Sequence, residues 1–268
     1  MTAAGIITMK ESAAAALALA ETAVTTRAKQ AVRPIYINDG DDPEHYATCT
    51  FITVDEQDYL VTCAHVIDVS SKKTTLFVGI GKTHEITAIF GITKAQDGDR
   101  ENDLIDFAFT PVGAEWRQRG IIPFAPEEMK IPKAHFYCAY GYPNSRNGKK
   151  SIDFIGKKIR PTTVPFISVE VTDPDVLVAA EINTAQHLAL LRDPKGFNGQ
   201  KPFDPVGTSG GAILAMHDLA HPDVLAGKKA PRVGATALIT HKNKANKLLV
   251  GTRLTTIVAA IRSAKPHS

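Results

Sequence analysis

PVGTSGGAIL, residues Pro205 to Leu214, decides the fold, because the serine at its centre leads either into a helix or into a strand. Gly207 and Gly210 bracket Ser209, so the backbone can curl there without a Cβ in the way and turn its amides inward. Inward amides make an oxyanion hole, with the N–H groups of Gly207 and Ser209 as donors. The residues that follow, AILAM from Ala212, read as a strand. Working outward, the same signature recurs from Ala47 onward as short runs rich in Val, Ile, Thr and aromatics between Gly, Pro, Asp and Asn clusters. Thirteen candidate strands begin at Ala47, Tyr59, Thr74, His84, Leu104, His135, Ser151, Val164, Asp175, His187, Ala212, Val233 and Leu248. They stand too close together for crossover helices, so the sheets are expected to be antiparallel, in a barrel or sandwich of the all-β class.

Around this region the chain is punctuated by two helical signals and one break. An Ala-rich helix is expected from about Thr8 to Ala31, stopped by Pro34, and a C-terminal helix over Thr255–Ala264, with Ile257, Ala260 and Ile261 on one face. The segment Gly113–Lys133 interrupts the strand rhythm with two Pro-centred stretches and reads as a linker. The expected organisation is a helical extension over 1–34, one β-barrel over 35–120 and a second over 121–268.

At 268 residues the chain buries a sizeable core, and 31 basic against 28 acidic side chains leave a net charge of +3. No polyanion partner follows from that balance. The basic clusters at Arg146–Lys150, Gly227–Arg232 and His241–Lys247 are separated, without interleaved aromatics, and read as solvated loops rather than a nucleic-acid surface. No run of 18 strongly apolar residues offers a membrane span. Three cysteines, Cys49, Cys63 and Cys138, cannot all pair within the chain, which favours a reducing, cytoplasmic address. Cys49 and Cys63 are equidistant from Glu56, so a hairpin centred there would set them opposite one another, either as buried thiols or as a cross-strand disulfide.

Two further motifs supply what a serine nucleophile needs. YLVTCAHVID places His65 at the end of an apolar strand, and ENDLIDFAFTPV places Asp106 among apolar neighbours, where an unpaired carboxylate is costly to bury. Base, orienting acid and hydroxyl are the three parts of an acyl-transfer site. With LVTCAHVI for the histidine, IDFAF for the aspartate and GTSGGAIL for the serine, the chain resembles the trypsin-like (chymotrypsin-fold) serine proteases from about Ala47 to Ala264. The resemblance implies two antiparallel six-stranded barrels with the site in the cleft between them. It also implies a catalytic triad of His65, Asp106 and Ser209, a protein or peptide substrate, and no cofactor or metal. Separations of 41 and 103 residues between the three positions suit that family. Its S1 pocket maps onto Phe203 and the segment Ala237, Leu238 and Ile239, where no acid stands, so an apolar or small P1 side chain is expected.

Departures from the family also carry meaning. Thr208 occupies the place of the acid that precedes the nucleophile in digestive members, so a zymogen switch pairing that acid with a new N-terminus is not available. The missing disulfide set suits the bacterial trypsin-like branch. Asp103 offers a second frame for the acid, but only Asp106 is followed at the second place by Ala, here Ala108, and Asp103 beside Glu101 and Asn102 reads as a solvated approach to the strand. Four rivals stand beside the protease reading. G-T-S-G-G also fits the nucleophile elbow of α/β-hydrolases, yet a strand rather than a helix follows it and only 59 residues remain for acid and base. A silent pseudoprotease could use the fold as a binding module. The Ala-rich N-terminal helix could dock a partner. HDLAH, His217 to His221, has the spacing of a zinc helix, but Pro222 ends it and no third ligand is evident.

Overall fold

Ala16, Ala20, Val24 and Ala28 recur every four residues and so share one side of a helix. The computed structural model describes residues 9–38, 43–68, 75–94, 98–130, 133–148, 152–153, 158–192, 204–243 and 247–264, and in it these four side chains are buried on helix α1, Met9–Ala31. The helix lies against strands of both sheets, so the apolar face offered above for docking a partner is occupied within the chain. Arg27 pins its C-terminal half, pairing with Glu128 at 2.6 Å and donating to the carbonyls of Ile122 and Pro123.

The chain passes directly from α1 into β1, Val32–Asn38, a strand that carries Pro34 within it. Pro34 sits at the end where β1 pairs with only one neighbour, since the second ladder begins at Ile35, and an amide-free residue is tolerated there. β2 (Pro43–Val54) and β3 (Gln57–Thr62) form a hairpin whose two turn residues, Asp55 and Glu56, both have positive φ, matching the right-handed twist of the strands. The turn is therefore centred between Asp55 and Glu56. Thr50 faces Val61, so Cys49 and Cys63 miss one another by a residue, and all three cysteines are free and buried.

Helix α2 (Ala64–Asp68) follows, then β4 (Thr75–Ile80), β5 (Lys82–Glu85), β6 (Gly91–Ile92) and β7 (Ala108–Pro111). The first sheet has seven strands in the order β5-β4-β1-β2-β3-β7-β6, one more than the six expected. The five candidate strands of this region become seven because β1 adds one and the strand expected at His84 splits into β5 and β6. These are the sheet's two edges, and the five residues between them carry the chain from one edge to the other. Ile35, Phe51, Leu60, Val78 and Trp116 fill the interior.

The linker carries two single-turn helices, α3 (Glu115–Gln118) and α4 (Pro126–Met129). After it come β8 (Phe136–Gly141), a small ribbon of β9 (Ile152–Asp153) and β10 (Lys158–Ile159), β11 (Val164–Ser168), α5 (Pro174–Ala179) and β12 (His187–Leu191). β13 (Ala212–His217), α6 (Pro222–Leu225), β14 (Arg232–Asn243), β15 (Leu248–Arg253) and α7 (Leu254–Ala264) complete the chain. The second sheet runs β11-β8-β13-β14-β15-β12, and backbone bonds from Val171 to Ala189 at 2.8 Å and from Leu191 to Val169 at 3.1 Å close its edges into a barrel.

One expected strand is a helix. The run from Asp175 forms α5 because Pro174 occupies its first turn and the Asp173 carboxylate accepts the amides of Asp175 and Val176, a cap that outweighs the strand-like run of valines. α7 forms as expected, burying Leu254, Ile257 and Ile261 on one face. The chain is thus a mostly β molecule with the two-barrel architecture of the chymotrypsin-like fold.

Candidate active site

β3 ends at Thr62, and the chain turns at once into α2, which sets His65 on the helix's first turn at the edge of the first barrel. Its Nδ1 lies 2.6 Å from Asp106 Oδ2, and its backbone N–H donates to Asp106 Oδ1 at 3.0 Å. Both oxygens of one carboxylate thus fix the ring and the start of the helix that carries it. A carboxylate accepting Nδ1–H leaves Nε2 as the ring's proton acceptor. The Asp106 side chain is 8% exposed and that of His65 38%, so the acid is shielded while the ring reaches solvent.

Asp106 does not sit inside a strand, as its apolar neighbours suggested. β7 begins two residues later at Ala108, opposite Thr62, and Asp106 occupies the preceding turn with φ of 36°, a left-handed conformation uncommon for a residue with a Cβ. Asp103 is buried rather than solvated. Its Oδ1 accepts the Asp106 N–H at 3.0 Å, and its Oδ2 takes Arg100 Nη1 at 2.5 Å and Thr93 Oγ1 at 2.7 Å. Of the two acids, the structure sets Asp106 against His65 and Asp103 behind Asp106.

Ser209 arrives from the second barrel on a loop shaped by glycine. Gly207 and Gly210 have φ of 87° and 85°, and a Cβ on Gly210 would strike the Thr48 carbonyl and the Thr62 hydroxyl. The loop's carbonyls are tied outward. That of Val206 accepts from Asn144 N–H at 2.8 Å and that of Ser209 from Thr48 N–H at 2.9 Å. Those of Gly207 and Gly210 accept from Thr48 Oγ1 and Thr50 Oγ1, each at 2.9 Å. The amides of Gly207 and Ser209 donate to no group among the described residues, which leaves the two expected oxyanion donors available. Thr208, buried, braces the loop by donating its hydroxyl to Pro205 O at 2.7 Å.

Three neighbours of the site were not assigned to it from sequence. Cys63, considered only for pairing, donates its thiol to Ile239 O at 3.2 Å and lies within reach of the Ser209 hydroxyl, and burial raises its pKa so that it stays a thiol. No hydrogen bond joins His65 Nε2 to Ser209 Oγ among the described residues, a link that often tightens only with substrate bound. Asn144 Oδ1 lies against Gly207, where a Cβ would collide with it, and 2.7 Å from His45 Nδ1. Burial lowers the His45 pKa to about 4, so that histidine is neutral and donates to Asn144. Loop residues such as Asn144 carry no periodicity, so nothing in the pattern marked them.

His65 and Ser209 open on a cleft of about 410 Å³ lined also by Ala47, Val66, Asn144, Ile239 and Leu249. Of the expected pocket residues, Ile239 lines it. Ala237 and Leu238 are packed in hydrophobic cores, because successive residues of β14 face opposite sides, and Phe203 lies outside the described residues. Ligand atoms of Cys63, His65 and Asp106 come within 4.8 Å of one another, though Asp106 and His65 already engage each other. His217 ends β13 while His221 caps α6, so the two do not share a helix face.

Two antiparallel sheets meeting at a cleft lined by a serine and a histidine, with a buried aspartate behind the histidine, have the chymotrypsin-like fold, and comparison with solved structures gives the same fold. No protein-family model matches the chain, and no curated protein matches its sequence. A structure described as "Structure of GrC" is 13% identical with a TM-score of 0.51, covering 88% of this chain and 94% of that one. Another, described as "Aromatic interactions drive the coupled folding and binding of the intrinsically disordered Sesbania mosaic virus VPg protein", is 15% identical with a TM-score of 0.50, covering 88% and 92%. The serine protease domain of the Sesbania mosaic virus polyprotein is 14% identical with a TM-score of 0.49, covering 86% and 91%. For the first two, identities this low make the likeness one of fold alone.

Proposed function

We propose that the chain is a serine endopeptidase that cuts peptide bonds through an acyl-enzyme, with Ser209 as nucleophile, His65 as general base and acid, and Asp106 as the group that orients the imidazole. The observation that carries this reading is the 2.6 Å bond between His65 Nδ1 and Asp106 Oδ2 in the cleft where Ser209 is held. Ser209 Oγ attacks the carbonyl carbon as Nε2 of His65 takes its proton. The imidazolium, stabilised by Asp106, then protonates the leaving amine, and a water repeats the sequence to release the acid. The amides of Gly207 and Ser209 hold the oxyanion, each worth on the order of 3 kcal/mol in the transition state. Ala47, Val66, Ile239 and Leu249 give the cleft an apolar wall, and no acid lines it among the described residues, which supports a small or apolar side chain before the scissile bond. Three free, buried cysteines support a reducing, cytoplasmic setting.

A peptide library incubated with the protein and read by mass spectrometry tests the reading. Internal cuts following small or apolar residues are expected, and they should vanish in Ser209→Ala. An intact library, or one cut equally by that variant, would overturn it.

A further inference from the structure

Asp106 holds a strained backbone conformation, and something must supply the energy that keeps it there. Its carboxylate is committed to His65, so the restraint comes from behind. Asp103, 4% exposed at its side chain, accepts the Asp106 N–H at 3.0 Å and thereby fixes the turn from which the acid projects. Asp103 is itself held. Arg100 Nη1 reaches its Oδ2 at 2.5 Å, and the Thr93 hydroxyl reaches the same oxygen at 2.7 Å. Arg100 then continues to the other half of the pair, because its Nε bonds Asp68 Oδ2 at 2.7 Å and Asp68 is the last residue of α2, the helix that carries His65. The guanidinium also donates to Thr93 O at 2.6 Å, which ties the loop before β7 into the same array. Arg100 therefore links the element that presents the base to the turn that presents the acid, by a route separate from the His65–Asp106 contact. The fork geometry of a guanidinium suits this task, since it addresses two carboxylates in fixed directions at once.

We propose that Asp103 and Arg100 are positioning residues for the His65–Asp106 pair: Asp103 holds Asp106 in its left-handed turn, and Arg100 locks that turn to the histidine helix through Asp68. The proposal rests on the protease reading for its kinetic readout, though not for its spectroscopic one. The consequence is specific. Releasing the turn shifts the carboxylate relative to the imidazole without touching the cleft, so the chemical step suffers and substrate binding does not. A misplacement of about an ångström is enough to cost on the order of a hundredfold in rate.

Three single variants, one double variant and three readouts test it. Asp103→Ala removes the acceptor and should lower kcat by about 10- to 100-fold with KM within about twofold. Asp103→Asn keeps an oxygen for the Asp106 amide but turns an NH2 group toward Arg100 and Thr93, so it should recover part of that loss. Arg100→Gln, which keeps that oxygen and loses the same contact, should match Asp103→Asn, and adding it to Asp103→Ala should cost little more, because the two act through one contact. Independently, the His65 Nδ1 proton, strongly deshielded by its short bond to Asp106, should move upfield in the proton NMR spectrum of Asp103→Ala and less far upfield in Asp103→Asn, which keeps the oxygen for the Asp106 amide. Variants that lose melting temperature while keeping both kcat and the Nδ1 resonance would overturn the proposal, leaving a structural anchor. If Asp103→Ala does not fold, Asp103→Asn and Arg100→Gln decide it by the same measures. If the wild-type chain cuts no peptide, the protease reading fails while the Nδ1 resonance still tests the positioning claim.

Discussion

The two halves of the site are held in place by opposite means. On the histidine side, the acid sits in a left-handed turn fixed by charged and polar side chains, with Asp103, Arg100, Thr93 and Asp68 arrayed behind it. On the serine side, the left-handed positions are glycines, and the loop is fixed by backbone carbonyls received by Thr48, Thr50 and Asn144. The first arrangement tolerates a Cβ at the price of a polar network; the second excludes the Cβ and needs no charge. Side-chain chemistry should therefore govern the first half and steric shape the second, and four substitutions separate them.

The largest expected effect is chemical. Asp106→Asn should lower kcat by about four orders of magnitude while leaving the melting temperature close to wild type, because the amide favours the wrong imidazole tautomer and yet keeps the shape. Kinetics on a peptide substrate beside thermal unfolding check both parts. Gly210→Ala should do the reverse, destabilising the fold by on the order of 3 kcal/mol or more, since a Cβ there meets Thr48 and Thr62 at a positive φ. Denaturant unfolding measures it. A well-folded, inactive Gly210→Ala protein would break the contrast drawn here.

His45 sharpens the comparison through pH. Its folded pKa, lowered to about 4 by burial, lies below the ordinary value of 6.5, so the unfolded chain binds the proton first as pH falls. The stability it contributes is present above pH 6.5 and is lost between 6.5 and about 4, amounting to roughly 3 kcal/mol. His45→Gln should flatten the stability profile in that window, with a shallower slope remaining because burial also lowers the pKa of His187 and His217. The smallest effect is expected for Asn144→Ala, which removes the Oδ1 that lies against Gly207 but leaves the backbone bond to Val206. A kcat loss of about tenfold is expected, below the cost of deleting an oxyanion donor outright, together with a stability loss of about 1–3 kcal/mol because the buried His45 Nδ1–H loses its acceptor.

What the sequence reveals follows the same division. His65, Asp106 and Ser209 are legible because each is a costly or conformationally unusual residue for its surroundings, and the choice of Asp106 over Asp103 turns on the small Ala108 two places on. Asp103 itself is misleading, since three polar residues in a row suggest solvent, whereas its burial depends on Arg100 and Thr93 folding over it. β1 hides behind Pro34, which signals a break but occupies the singly paired end of a strand. α5 hides behind its valines, although Asp173-Pro174 announces a helix start. Cys63 and Asn144 reach the site only through tertiary packing, which no local pattern encodes.

The central claim is that Ser209 is an activated nucleophile served by His65. A fluorophosphonate probe reacts with such a serine and leaves a covalent adduct that peptide mass spectrometry can locate. The account predicts one adduct per chain, on Ser209, formed by the 268-residue chain without prior clipping, absent in Ser209→Ala and slowed by orders of magnitude in His65→Ala. An unlabelled wild-type protein, an adduct elsewhere, or equal labelling of the His65 variant would contradict it.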